Sequence, residues 1–412
     1  MDRVRHDIRF ALRGFRRSPS FTITSVLILA IGIGMAVAMF TVFDAVVIRP
    51  LPVTSPDRVV ELFTYKGDPN TDYYVLREDL TKVAATSKTM RDVAGIAHWG
   101  APSAPLVDGD RPLVLNRTLV TGNFFNVLGT RPLLGRLVQP SDETAGAELV
   151  LVLSYGAWRK HFGGDPKIVG RRLMEPYGRK DYRVIGVAQP GLEYPAAVDV
   201  WMPAWQPSAN LSVIAVARLT PNATPRMAQS EFLRIMKSLS ADREYDGAHV
   251  ETFTHAVVGD VQPILVVLAA AVGLLLLIAC VNVGNLLLLR AASRARELSV
   301  RRALGATYGD VVRQLVVESG ILGVAGGVLG LAVAGALIKV LVAYAPPQLP
   351  RMDVISVAGT PIIIAIGVTL AAVLVFGVLP SLLASRGDLA SPLRYDETGN
   401  VDGSAELFPD SF

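Results

Sequence analysis

Four stretches of the chain carry no charged side chain, and each reaches the length of about 20 residues that a membrane-spanning helix needs. They run over residues 18–43, 261–289, 319–338 and 354–385. A charged side chain at the centre of such a helix costs about 2.5–3.5 kcal/mol, so the charges at the ends of these stretches belong at membrane interfaces. The pattern predicts four transmembrane α-helices.

The segments between the four stretches differ greatly in length. They are a basic leader at 1–17, a long segment at 44–260, loops at 290–318 and 339–353, and a polar tail at 386–412. The long segment can bury a core of its own, in one lobe or two. Short β-rich runs at 58–65, 149–153, 182–187 and 212–219 alternate in it with turns and with a helical stretch at 224–239. This texture predicts a large mixed α/β domain between the first and second helices.

Basic residues set the predicted orientation of the helices. Residues 1–20 and 290–318 each carry six arginines or lysines, whereas 339–353 carries two. Both termini and the 290–318 loop are therefore expected in the cytoplasm, and 44–260 outside. A cleaved signal peptide is the alternative for the first stretch, but its apolar run is longer than the usual 7–15 residues.

The leader has the pattern of an amphipathic helix. Val4, Ile8, Ala11, Leu12 and Phe15 share one helical face, and the arginines lie mostly elsewhere. We expect this helix to lie on the membrane, with its apolar side in lipid and its arginines on anionic headgroups. The alternative is a basic flank that only sets the topology.

Composition excludes several classes of protein. Of 412 residues 51% are hydrophobic and only 18% charged, with a mean hydropathy of +0.41, which is unlike an ordinary soluble enzyme. The net charge of +4 does not suit a bulk nucleic-acid binder. A single cysteine, Cys280, excludes an internal disulfide framework.

No catalytic, metal or cofactor motif stands out. The five histidines are scattered without a metal-ligand spacing. The phosphate-binding loop GxxxxGK[ST] is absent from the sequence, and Gly32-Ile33-Gly34 does not complete a dinucleotide motif. We therefore expect neither catalytic residues nor a cofactor held by this chain.

The third predicted helix carries small residues at spacings of four, in the pairs Gly323/Gly327 and Gly326/Gly330. Such spacing lets two membrane helices approach closely, and the partner is a helix of the same chain or of a second subunit. Asn282 and Asn285 are the most polar residues of the second predicted helix. We interpret them as sites of hydrogen bonding between helices, with a conduction path as the alternative.

The 290–318 loop is the most informative segment. Residues 294–304 can form an amphipathic helix that ends at Gly305, and Thr307 is placed to cap the next helix. One interpretation is a basic loop that fixes topology. The other is a lever that docks into a groove of a partner protein through apolar side chains with arginines at the rim.

Here the sequence resembles a known family. The string RARELSVRRALGATYGDVVRQLVVESGILGVAGGVLG, residues 294–330, is similar to the characteristic segment of FtsX-like, MacB-type ABC transporter permeases. The opening DIRFALRGFRRSPSFTITSVLILAIGIG resembles the start of duplicated orphan permeases of that family, and VTGNFFNVLGTRPLLGR resembles its periplasmic core domain. The resemblance covers residues 1 to about 395.

The resemblance implies a multi-pass permease of a bacterial inner membrane, with ATP and Mg²⁺ bound by a separate ABC-type ATPase subunit. In such permeases the loop between the second and third helices is a coupling helix on the ATPase. Its contacts here would be Glu297, Leu298, Arg301, Arg302, Ala303, Leu304, Gly305 and Ala306. Other implied partners are a second permease copy, membrane lipid, and a periplasmic adaptor or outer-membrane channel.

The implied mechanism is mechanotransmission, in which ATP-driven motion of the coupling helices reaches the outer domain. The cargo would be lipophilic, peptide or antibiotic-like. The alternative is a scaffold or sensor that regulates extracytoplasmic partners such as cell-wall hydrolases. Orphan permeases usually carry two copies of this unit and the sequence has one, so we expect either a dimerising permease or half of a longer one.

Overall fold

The computed structural model describes residues 2–68, 74–97, 105–176, 179–204, 211–239, 245–259, 261–293, 308–344 and 359–373. Its contacts divide the chain into two compact units. The first, which we call the helical unit, takes residues 1–37, 273–334 and 362–412. The second, which we call the sheet unit, takes residues 38–272 and 335–361. Each is described by itself.

The helices of the described residues begin and end as follows: α1 Asp2–Arg17, α2 Pro19–Phe43, α3 Arg77–Thr86, α4 Phe124–Leu128, α5 Tyr155–Phe162, α6 Pro225–Leu239, α7 Phe253–Val258, α8 Gln262–Ser293, α9 Tyr308–Tyr344 and α10 Thr360–Val373. Pro19, Pro263 and Pro361 lie in first turns, where a proline removes no helical hydrogen bond.

Three helical stretches of the described residues are long and apolar enough to cross a membrane: Pro19–Ile48, Gln262–Leu287 and Val316–Tyr344. They correspond to the first three predicted helices. The fourth corresponds to a shorter apolar helix, Ile362–Ala371. Much of its predicted range, 354–385, lies outside the described residues.

Helix ends differ from the predicted boundaries, which were placed at charged residues. The helix of α2 continues through Asp44 as a π-helical turn, Asp44–Ile48. Likewise α9 contains Glu318 and Lys339 and ends only at Tyr344, within the predicted external loop 339–353. The reason is that a charge limits how deep a residue lies in a membrane, whereas a helix ends where its backbone hydrogen bonds end.

The strands are β1 Val59–Tyr65, β2 Val75–Leu76, β3 Met90–Ala97, β4 Leu106–Asp108, β5 Arg111–Leu113, β6 Arg117–Val120, β7 Pro132–Gly135, β8 Val150–Leu153, β9 Arg172–Glu175, β10 Lys180–Ala188, β11 Val200–Pro203, β12 Ser212–Leu219 and β13 Gly247–Thr252. They form one sheet in the order β13-β1-β12-β3-β6-β11-β8-β10-β9-β4-β5, with β2 on β12 and β7 on β10. The pairs β6/β11 and β8/β10 are parallel, and the other pairs are antiparallel.

Alternate residues of the strands enter different cores, because successive side chains of a strand point to opposite faces. In β1, Val59 and Phe63 join one apolar cluster, and Val60 and Leu62 join another. Both faces of β1 are therefore buried. The predicted strands at 58–65, 149–153, 182–187 and 212–219 are confirmed within one or two residues at each end.

One core lies along one face of the sheet and two smaller cores lie on the other. The first includes α4 and Trp201. Of the other two, one is covered by α3 and α6, and the second by α5 with Trp158. The predicted helix 224–239 is α6, which buries Phe232, Ile235 and Met236. The mixed α/β domain is confirmed as a single sheet.

Candidate functional site

The predicted ATPase contacts cannot be placed. Glu297, Leu298 and the residues from Arg301 to Ala306 all lie between α8 and α9, in 294–307, outside the described residues. The helices on either side are described, and they form the helical unit together with α1, α2 and α10. The packing of these helices is the first part of the candidate site.

Glycines of α9 lie against α2. A Cβ on Gly326 would approach the Cβ of Leu29 to 2.7 Å, and a Cβ on Gly330 would approach the Cγ2 of Ile33 to 3.1 Å. Leu29 and Ile33 are buried. Because these contacts leave no room for a side chain, the two backbones approach as closely as small residues allow.

Another glycine of α9 faces α10. A Cβ on Gly327 would meet the Oγ1 of Thr369 at 2.7 Å, and that hydroxyl donates to the carbonyl of Ala365 at 2.7 Å. Gly323 is buried as well. In the helical unit, Gly326, Gly327 and Gly330 therefore face helices of the same chain, one of the two alternatives that the sequence left open.

Sequence reasoning missed the matching residues of α2. A Cβ on Gly32 would lie 3.1 Å from the Cβ of Ala279 in α8, and a Cβ on Gly34 would lie 2.8 Å from the Cβ of Val333 in α9. Gly32 and Gly34 give α2 a close contact with each neighbour. The signal for them is the sequence Gly32-Ile33-Gly34 itself, since small residues suit close packing of membrane helices.

The two asparagines of α8 lie on an exposed side of the helix. Asn282 and Asn285 are both exposed on this helix, so neither lies in the interior of the helical unit. The described helices of this chain thus do not bury either asparagine, and their role in hydrogen bonding between helices stays a prediction. The face that they occupy is open in the structure.

The leader helix α1 is also only partly as predicted. Ile8 and Leu12 are exposed, as expected for residues that face lipid, but Ala11 and Phe15 are buried in the protein. The buried face continues to Asp7, whose carboxylate accepts from Arg313 Nε at 2.7 Å. The apolar face thus serves two environments, because five residues on one side of a helix spread over a wide arc.

The second part of the candidate site is a junction in the sheet unit, which we define as the apolar cluster of Met39, Val42, Val46, Val258 and Leu265. The first three come from α2 and its π-helical turn, the fourth from α7 and the last from α8. These five side chains are each less than a tenth exposed. The cluster thus lies where α2 leads into the sheet domain and where the chain passes from α7 into α8.

The π-helical turn carries a buried charge. The Asp44 side chain is 8% exposed and accepts from Arg49 Nε at 2.8 Å. A π-helical turn adds a residue to the helix and often marks a functional position. Here it carries Asp44 and Val46 into the sheet unit as α2 ends.

The chain after this turn is held to the sheet domain. Thr54 donates from its backbone to the carbonyl of Leu128 at 3.0 Å and from its hydroxyl to the carbonyl of Gly129 at 2.7 Å. Arg218 donates to the carbonyl of Thr54 at 2.8 Å, and Gln189 donates to the carbonyl of Pro52 at 2.6 Å. These four hydrogen bonds hold the segment that follows α2 against the sheet domain.

A cleft of about 200 Å³ lies beside α7, and it is lined by Glu61, Glu193, Tyr194, Pro195, Ala196, Ile214, Ala256 and Val257. The Tyr194 hydroxyl donates to the buried carboxylate of Glu61. Burial, then the charge of Glu61 and their hydrogen bond, raise the pKa of Tyr194 well above its ordinary value. The tyrosine therefore stays neutral and fixes the carboxylate on the sheet.

Among the described residues no three His, Cys, Asp or Glu side chains are grouped so that they could hold a metal ion. The helical unit offers closely packed helices. The sheet unit offers an apolar cluster, and hydrogen bonds that hold the chain at Pro52 and Thr54 beside the sheet.

Comparison with protein families finds two matches. Residues 22–235 match the MacB-like periplasmic core domain, and residues 269–389 match the FtsX-like permease C-terminal domain. The first match covers most of α2 and the chain from β1 to most of α6, and the second covers most of α8, α9 and α10.

Individual relatives agree with the two family matches. The macrolide export ATP-binding/permease protein MacB of Rhodopseudomonas palustris is 25% identical over 96% of this chain and 61% of its own. The uncharacterized ABC transporter permease YknZ of Bacillus subtilis is 30% identical over 34% of each chain. Among solved structures, the periplasmic region of MacB from Actinobacillus actinomycetemcomitans aligns with 49% of this chain and 91% of its own, at 16% identity and a TM-score of 0.39. The chain thus spans less than two thirds of these curated relatives.

Proposed function

Because this chain belongs to the FtsX/MacB-type ABC transporter permeases, we propose that it is a permease subunit driven by a separate ABC-type ATPase. The ATPase binds ATP and Mg²⁺, and this chain binds the ATPase. The division of labour is supported by the given sequence, in which the phosphate-binding loop GxxxxGK[ST] does not occur.

The proposed ATPase contact is the coupling helix, Glu297 to Ala306, on the cytoplasmic side of an inner membrane. Its support is the basic and apolar pattern of the loop and its place between α8 and α9. Arginines at the rim of a docked helix would pair with acidic groups of the ATPase, and Leu298 and Leu304 would fill its groove.

Movement would pass along the helices. The observation that carries this proposal is that α2 and α8 each contribute residues to both units, with the apolar junction at their ends in the sheet unit. Because these helices are closely packed, α2, α8 and α9 would move together. The hydrogen bonds to Thr54 and Pro52 would then transmit that movement to the sheet. In a permease of this kind the outer domain moves, and the cargo need not pass between the helices.

For cargo we propose lipophilic, peptide or antibiotic-like molecules. The support is that the relatives similar to this chain include proteins named for macrolide export. Coexpression of the chain and its ATPase in a host sensitive to macrolides should raise the macrolide concentration that is needed to inhibit growth of the host. No change, with ATPase stimulation intact, would favour the scaffold that regulates extracytoplasmic partners.

The decisive test is a double variant, Arg301→Glu with Gly305→Glu. The tagged full chain, purified from its own membranes, should recover an ABC-type ATPase and stimulate its hydrolysis of ATP. The variant should lose about tenfold in both measurements, since it reverses a rim charge and places a side chain at the end of the helix.

The matched control is Arg13→Glu with Arg16→Glu, which changes two exposed basic residues of α1. It should keep recovery and stimulation within about twofold of the unchanged chain, an estimate from the small effect of exposed charges. Unchanged coupling in the Arg301/Gly305 variant would reject the coupling-helix assignment.

A further inference from the structure

We propose that α1 is a clamp that sets the spacing of the ends of α8 and α9 next to residues 294–307. The clamp is the set Asp7, Phe15, Phe21, Arg290 and Arg313. The proposal rests on the proposed function in one respect: it assigns to the clamp a positioning role in coupling to the ATPase.

The first contact holds α1 to α9. Arg313 lies in the second turn of α9, and its Nε donates to an Asp7 carboxylate oxygen at 2.7 Å. The side chain of Asp7 is 14% exposed and that of Arg313 is 34% exposed. A charge pair this close and partly buried is screened by salt less than an exposed pair. The first 20 residues carry six arginines, but the residue placed opposite Arg313 is the acidic Asp7.

The second contact holds α1 and α2 to α8. Arg290 lies in the last turn of α8, with its guanidinium carbon 5.1 Å from the ring centre of Phe15 and 4.6 Å from that of Phe21. These are distances at which the positive guanidinium is attracted to an aromatic face. Phe15 belongs to α1 and is 7% exposed, and Phe21 belongs to α2.

Two side-chain hydrogen bonds also hold the connection between α1 and α2. The Ser18 hydroxyl donates to the carbonyl of Gly14 at 3.1 Å, and the Thr22 hydroxyl donates to the carbonyl of Phe15 at 3.2 Å. Ser18 is the single residue between the two helices, and the Thr22 bond spans it. Because these bonds tie α1 to the start of α2, the contacts of α1 with Arg313 and Arg290 constrain α8 and α9 together, which a basic flank that only sets topology would not do.

A charge-exchange cycle tests the clamp in the full chain in nanodiscs. Spin labels at Leu12→Cys on α1 and Val324→Cys on α9, in a Cys280→Ala background, report their distance by pulsed electron paramagnetic resonance. Asp7→Arg and Arg313→Asp should each broaden the distance distribution about twofold, and the double exchange should restore it. Arg9→Asp, an exposed control on α1, should leave it unchanged.

The same four chains without labels, coexpressed with the ATPase, give the functional measurement. Each single exchange should lower ATPase stimulation at least fivefold, and the double exchange should recover most of it. Broad distances with full stimulation would overturn the clamp as a coupling device, and narrow distances in the single exchanges would overturn it altogether. If the unchanged chain recovers no ATPase, the proposed function fails, while the distance measurements still decide the clamp.

Discussion

The two units are packed by opposite means. The sheet unit buries large side chains, among them Trp201, Phe124, Phe125, Phe232 and Phe253. The helical unit is packed through residues that have no side chain, at Gly32, Gly34, Gly326, Gly327 and Gly330. In water a core is stabilised by the apolar area that it removes from solvent, so size is an advantage. Between helices in lipid that advantage is absent, and close approach of the backbones replaces it.

The units also carry separate natural probes. All four tryptophans, Trp99, Trp158, Trp201 and Trp205, lie between residues 44 and 260, so tryptophan fluorescence reports on the sheet domain. Cys280 is the single cysteine and is buried in α8 within the helical unit. The rate at which a maleimide dye labels Cys280 on heating therefore reports on the opening of the helices. The two probes let each prediction be assigned to one unit.

The largest effect is expected from removing a large side chain in the sheet unit. Phe232→Ala should lower the free energy of unfolding by about 3–5 kcal/mol, because a fully buried ring leaves a cavity. Urea unfolding in detergent, followed by tryptophan fluorescence, measures it. Met227→Ala is the control on the same helix, since Met227 is 50% exposed, and it should change little. A similar loss in both variants would contradict the assigned core.

A smaller effect of opposite chemistry is expected in the helical unit. Gly34→Ala adds only a methyl group, but that group would meet Val333 and the carbonyl of Gly330 within 3 Å. Overpacking of this kind costs about 1–3 kcal/mol. Heating should label Cys280 at a lower temperature in this variant, with the tryptophan transition in urea unchanged.

The control for this prediction is Gly320→Ala in α9, where a Cβ meets nothing within 4 Å. It should leave the labelling temperature unchanged or raise it slightly, because alanine favours a helix over glycine by about 1 kcal/mol. If Gly34→Ala shifted Cys280 labelling and the tryptophan transition equally, the two units would unfold together. The contrast in how the units are packed would then not extend to their stability.

The smallest effect is expected at Glu231, a charged residue of the sheet unit. Glu231 of α6 accepts hydrogen bonds from the Thr89 and Ser87 hydroxyls and from the backbones of Lys88 and Thr89. Burial opposes the charge, but these bonds outweigh it and lower the pKa from 4.5 to about 2. The bonds of the charged group stabilise the fold fully above pH 4.5, and that stability is lost as pH falls toward 2.

Glu231→Gln should therefore cost about 1 kcal/mol at pH 7, the difference between hydrogen bonds to a charged and to a neutral acceptor. The loss relative to the unchanged chain should shrink as pH falls below 4.5, measured by urea unfolding at each pH. Glu78→Gln, an exposed carboxylate on α3, should show no such pH dependence. A loss that is constant with pH would mean that the charge of Glu231 is not what stabilises the contact.

Much of the fold followed from local pattern. The short β-rich runs predicted β1, β8, β10 and β12, because β-branched and aromatic residues favour strands. A buried face that repeats every 3.6 residues predicted α6. Strand order did not follow, since β6 pairs with β11 and β3 pairs with β12 across more than 75 residues of chain. No local pattern carries such pairing.

Length, hydropathy and charge are properties of each residue, and they were enough to predict apolar membrane-spanning helices, a large α/β domain and a basic loop. The contacts of Gly32 and Gly34 with different helices, and of Asp7 and Phe15 with α9 and α8, became known only from the packed structure. These contacts join residues up to 306 positions apart. Their energy depends on distance in space, which packing sets and local sequence does not.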